Sequence, residues 1–111
     1  MKFTIDYFVE KFKAVPDNLW TISGCVDSQG RKDCLGHCGC RTDLITEEGD
    51  ALIDILSNYD PDPFRSVFLC AMINDGEGFA AKYGNTPKER VLSRLKELSL
   101  ALINVPFCLY K

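Results

Sequence analysis

The segment from Thr86 to Leu102 limits the architecture of this chain more than any other. Thr86 reads as an N-cap, Pro87 stands at the first helical position, and Glu89 completes a capping box. Val91, Leu92, Leu95, Leu98 and Leu102 then recur at helical spacing, while Arg90, Arg94, Lys96 and Glu97 belong to the wetted side. Pro106 stops the run. A helix of this kind takes most of its stability from packing its apolar stripe on other elements.

Those elements are also helical in pattern. Thr4 is placed to cap a first helix, with Asp6 in its first turn and Phe3 and Phe8 at the spacing of a hydrophobic staple. Ile5, Phe8, Phe12 and Val15 carry its apolar face, and Pro16 ends it. Trp20 follows, and reads as a cover for the core or as a ligand-stacking ring. Residues 23–33, with Gly24 and Asp27-Ser28-Gln29-Gly30, carry turn chemistry for a short hairpin or an irregular loop. A further helix starts near Thr46, with Glu47 and Glu48 where the helix dipole favours acids. Leu52, Ile55, Leu56 and Tyr59 form its predicted buried stripe, and Asp60-Pro61-Asp62-Pro63 breaks it. The run 66–73 is apolar almost throughout, so periodicity leaves strand and helix open, with the composition leaning to helix. Residues 74–78, Asn-Asp-Gly-Glu-Gly, read as a turn. The expected fold is mainly α, three to four helices around one core with a possible short β-hairpin, in one domain over residues 1–111.

The net charge of −3 argues against direct nucleic-acid binding, which needs a basic surface. From Thr42 to Phe64 every charged residue is acidic: Asp43, Glu47, Glu48, Asp50, Asp54, Asp60 and Asp62. Such a block is ordinarily a solvated helix face with a polar loop; a surface for a basic partner, or a mimic of nucleic-acid phosphates, is the sharper reading. No apolar stretch reaches bilayer length and the N-terminus lacks a signal-like run, so a cytoplasmic protein without membrane association is expected. In that compartment the six cysteines read as buried thiols, metal ligands or catalytic groups rather than disulfides. Cys70 and Cys108 sit in apolar runs and look like small core residues.

Cys34-Leu35-Gly36-His37-Cys38-Gly39-Cys40 is the chemically distinctive segment. Asp33 can cap a short helix opening at Cys34, whose thiolate the helix start would favour, and His37 follows within one turn. A Cys34–His37 dyad is therefore one reading, with Asn74 or Asp75 to orient the histidine, although such dyads ordinarily draw their histidine from a distant element. Zinc held by Cys34, His37, Cys38 and Cys40 is a second, weakened by the lack of a separate ligand cluster. The third is structural: Gly36 and Gly39 permit close approach, and small thiols pack beneath Trp20. That account leaves His37, the only histidine, in need of a partner for its ring nitrogens.

Trp20, Gly30, Cys34-Leu35-Gly36-His37, Ile73-Asn74-Asp75-Gly76 and Thr86-Pro87-Lys88-Glu89-Arg90-Val91-Leu92, in this order, resemble the pattern of a family of small bacterial and bacteriophage proteins of unknown function. The likeness runs from about Phe12 to Leu98. The chain departs from it by reading Asp33-Cys34-Leu35 where the family often has Cys-Ala-Leu, and by carrying Cys38 and Cys40. The resemblance implies no established activity. It implies a bacterial or phage protein, an accessory or host-interaction (anti-defence) factor. The expected function is accordingly a non-enzymatic binding protein for a host protein or a small ligand, with no cofactor. Trp20, His37, Asn74 and Asp75 are the candidate binding residues, because aromatic and polar groups beside glycine-bearing turns are where function tends to sit.

Overall fold

The structure, a computed structural model, describes residues 3–104. Pro106, Cys108 and the side chain of Leu102 lie outside the described part. Among the described residues five α-helices follow in order: α1 (Ile5–Lys13), α2 (Cys34–His37), α3 (Glu47–Leu56), α4 (Pro63–Asp75) and α5 (Pro87–Asn104), with 3-10 turns at Asp17–Leu19 and Gly78–Tyr83. The helix α5 is the spine. The helices α1, α3 and α4 and the second 3-10 turn all pack on it, α3 also packs on α4, and the one-turn α2 touches α3 and α5. No described helix is long and apolar enough to cross a membrane.

The caps show why the helices begin where they do. Thr4 Oγ1 accepts from Tyr7 N at 3.1 Å, and the Phe3 and Phe8 rings stand 6.2 Å apart across the start of α1. Thr46 Oγ1 accepts from Gly49 N at 3.0 Å to open α3. Asp62 accepts from Phe64 N and Arg65 N, with Pro63 at the first position of α4. Thr86 Oγ1 accepts from Glu89 N at 3.1 Å, and Glu89 reaches back to Asn85 N at 2.8 Å, one residue earlier than a simple capping box would have it. The core is one cluster in which Phe8, Phe12, Leu52, Leu56, Cys70, Ile73, Val91 and Leu95 are fully buried.

Four expectations need correction. Residues 23–33 form no hairpin; among the described residues there are only isolated bridges, Trp20 with Lys32, Val26 with Lys32 and Arg41 with Leu44. The Asp27 carboxylate takes the Gln29 and Arg31 amides, at 2.9 Å each, so those donors are spent on a side chain instead of a ladder. Tyr59 is not in the buried stripe of α3. The helix ends at Leu56, Asn58 and Tyr59 adopt left-handed backbone (φ 56° and 58°), and the ring is 59% exposed. Asn74 and Asp75 belong to the last turn of α4, which Gly76 ends in the left-handed conformation (φ 75°). Arg90 is not wetted: it is 7% exposed, with Nε and Nη2 donating to Asn74 O at 3.1 and 2.7 Å and Nη1 to Gly84 O at 3.3 Å. A Cβ on residue 76 would sit 2.7 Å from Arg90 Cζ, so glycine there serves both the turn and the guanidinium. The ambiguous run 66–73 lies wholly inside α4.

Candidate functional site

The helix α2 is the meeting point of most of the sequence-predicted site residues. Asp33 Oδ1 accepts from Gly36 N at 2.7 Å and so caps it. Gly36 is required because a Cβ there would collide with the Cys25 carbonyl oxygen. Asn74, fully buried, reaches from α4 to place Oδ1 3.0 Å from Cys34 N and donates through Nδ2 to Thr21 O at 3.0 Å and to Asp75 Oδ1 at 2.9 Å. Asp75 accepts in turn from Ser23 N. Asn74 thus joins three chain segments through one amide.

At the other end of α2 the His37 ring lies against Trp20, centroids 4.7 Å apart at 58°. Trp20 is 4% exposed, packs edge-on to Phe12 and donates Nε1 to Val15 O at 3.4 Å. Burial lowers the His37 pKa from its ordinary value; the Leu19 carbonyl opposes this, and the Lys32 and Lys11 charges reinforce it. Its Nε2 is buried without a hydrogen-bond partner. His37 also borders a shallow cleft of about 310 Å³ with Val15, Pro16, Leu19 and Lys32, a cleft whose lining does not include Trp20, Asn74 or Asp75. Trp20 and His37 thus meet at one end of α2 and Asn74 and Asp75 at the other, and the cleft beside His37 does not join the two pairs.

Cys34, Cys38 and Cys40 are each engaged elsewhere. Cys34 Sγ faces Cys70 Sγ at 3.8 Å, and that contact, with complete burial, pushes the Cys34 thiol well up. Burial and the neighbouring Glu48 carboxylate push Cys38 up as well, and burial takes Cys25 to about 11. Cys40 Sγ lies 3.5 Å from Thr46 Oγ1. A nucleophilic cysteine needs the opposite environment, cationic and partly open. Among the described residues no hydrogen bond links Cys34 to His37, and no group of three or more His, Cys, Asp or Glu side chains is arranged to hold a metal ion.

The surface that the motif reading did not single out is the outward side of α4. Ser66, Cys70, Ile73 and Asn74 turn inward. Phe64 (88% exposed), Val67, Phe68 (63%) and Ala71 turn to solvent. A helix that is apolar all round is normally buried all round. The signal was present in the unbroken run 66–73: once that run is helical, a small domain can cover only one of its sides. On the adjoining α3, Glu47, Asp50 and Asp54 fall on the side opposite the buried Leu52, Ile53 and Leu56.

No protein-family model matches the chain, and no similar curated protein or solved structure is found for it.

Proposed function

We propose that this chain is a non-enzymatic binding protein that docks another protein through the outward face of α4. One observation carries this: Phe64 and Phe68, a single turn apart, are held in water by a helix whose other side is locked into the core by Cys70, Ile73 and Asn74. Exposing two aromatic rings and a valine on one face is costly for a small soluble domain, and contiguous apolar patches of this kind mark interaction sites. The bacterial or phage setting and the host-interaction role implied by the family resemblance belong to the same proposal. Trp20, His37, Asn74 and Asp75 then serve as the framework that holds α2 and α4 in place, rather than as the contact surface.

The thiol-enzyme reading is less well supported. Cys34 is buried beside Cys70 with a raised pKa, so it lacks the thiolate that a nucleophile requires. Zinc at Cys34, His37, Cys38 and Cys40 fares no better: the three thiols are engaged by Cys70, Glu48 and Thr46 respectively, and among the described residues no group of three or more such side chains is arranged around one point.

The test is a Phe64→Ser/Phe68→Ser variant. Both rings are exposed, so the melting temperature should stay within about 2 °C of wild type. Co-purification from the producing cells should recover a protein with the wild-type chain that the variant loses. Equal recovery by both chains, or none by either, would count against docking on α4.

A further inference from the structure

We infer that the cleft between α1 and α5 is a binding site for a free medium-chain fatty acid, with its carboxylate at Lys13 and Lys96. This site goes beyond docking on α4 and does not depend on it.

The shape of the cleft comes from how the two helices meet. Lys88 Nζ, in the first turn of α5, donates to Lys13 O at the end of α1 at 3.1 Å, so the end of α1 lies against the start of α5. From there a cleft of about 490 Å³ follows both helices, from Leu92 to Leu100 on α5 and from Lys13 back to Ile5 on α1. Each of these stretches rises about 12 Å along its axis. The floor is apolar: Ile5, Val9 and Leu92 are half-buried against the core, and Leu100 is 49% exposed. A slot of this volume with an apolar floor and a few polar groups is the ordinary make-up of a small-ligand site.

The charges select the ligand. Lys13 and Lys96 line the cleft, both are exposed, and among the described residues neither is paired with a carboxylate. Asp6 is the one acidic residue in the lining. It stands two turns back along α1, about 10 Å from the level of Lys13 and roughly one Debye length away at moderate salt. The lining is therefore net positive in a chain whose net charge is −3. A carboxylate at the Lys13 end meets two flexible cationic side chains, while its alkyl chain lies over Val9 and Leu92 toward Leu100. A cationic amphiphile would meet like charge there, and an uncharged one would leave both lysines unused. The extended chain of decanoate matches the span of the cleft.

The experiment is calorimetric titration of the full chain at neutral pH with decanoate, decanol and decyltrimethylammonium, each held below its micelle concentration. Decanoate should fill one saturable site per chain at least about tenfold more tightly than the other two, and its affinity should fall as salt rises. Lys13→Gln/Lys96→Gln should weaken decanoate about tenfold and leave decanol unchanged, while Lys13→Arg/Lys96→Arg keeps most of the affinity. Leu100→Gln, at a half-exposed position, should weaken decanoate several-fold. The melting temperature of each variant, kept near that of wild type, shows that the fold is intact. Phe64→Ser/Phe68→Ser should leave decanoate binding as it is, which separates this site from docking on α4. Three results would overturn the assignment: no saturable decanoate binding, equal binding of decanol, or decanoate binding that ignores the lysine change. Decanoate binding lost with Phe64 and Phe68 would move the ligand to α4. A dimer in sedimentation that Leu100→Gln dissociates and decanoate does not would give the cleft to a second copy of the chain, against the fatty-acid assignment.

Discussion

Asp33 shows how a single residue can serve the fold and strain it. Its carboxylate caps α2 through Gly36 N, which favours the charged form, yet burial dominates and, with Asp75 nearby, lifts its pKa to about 6. A carboxyl that is easier to protonate when folded than when unfolded contributes stability at low pH and loses it as pH rises. The window runs from the unfolded value near 4 to about 6. Asp33→Asn keeps a capping oxygen without the charge. In urea titrations the variant should match wild type near pH 4 and exceed it by about 2 kcal/mol at pH 7, allowing for partial solvation of the carboxylate. A constant offset across that range would contradict the reading. His37 acts in the opposite sense: its lowered pKa costs stability as pH falls through its ordinary range, in both chains alike, so it cancels from the difference.

At the scale of elements, caps decide where helices begin, and Thr46 links two of them. Its hydroxyl opens α3 by accepting from Gly49 N at 3.0 Å and donates to Cys38 O at 2.7 Å, tying the end of α2 to the start of α3. Thr46→Ala should cost about 2 kcal/mol in chemical denaturation, and Thr46→Ser should restore most of it; equal losses in both would assign the effect to the methyl group. Caps are also where the sequence was most legible. Thr4, Asp33, Thr46 and Thr86 are short polar residues ahead of helical runs, and all four receive the amide that such a position leaves unpaired. Connections were less legible. The glycines and aspartate of 23–33 fit a hairpin or a loop equally well, and only the capture of two amides by Asp27 separates them. Tyr59 lies in helical phase with Leu52 and Leu56, but left-handed backbone at Asn58 and Tyr59 turns it out.

For the whole molecule, the decisive contacts are those between α4, α5 and the segment around α2. Arg90 closes the last turn of α4 from α5 with its fork of donors on Asn74 O and Gly84 O, while the Asn74 side chain holds Cys34 N and Thr21 O. Arg90→Lys should destabilise the domain by about 2 kcal/mol. A lysine ammonium cannot span both carbonyls, and leaves buried acceptors short of a donor. Urea unfolding measures this, and an unchanged midpoint would show that the fork is dispensable.

What the sequence determined by itself was local: the helical class, the starts of four helices, and the apolar positions of α1 and of α5 from Val91 to Leu98, because caps and periodicity act over a few neighbouring residues. Tertiary structure decided the rest. It buried Arg90, made Asn74 a junction, set Cys34 beside Cys70, and left Phe64 and Phe68 in water. Each of these depends on which surfaces meet across tens of residues; the apolar run 66–73 implies that one side of α4 stays uncovered, but not which side.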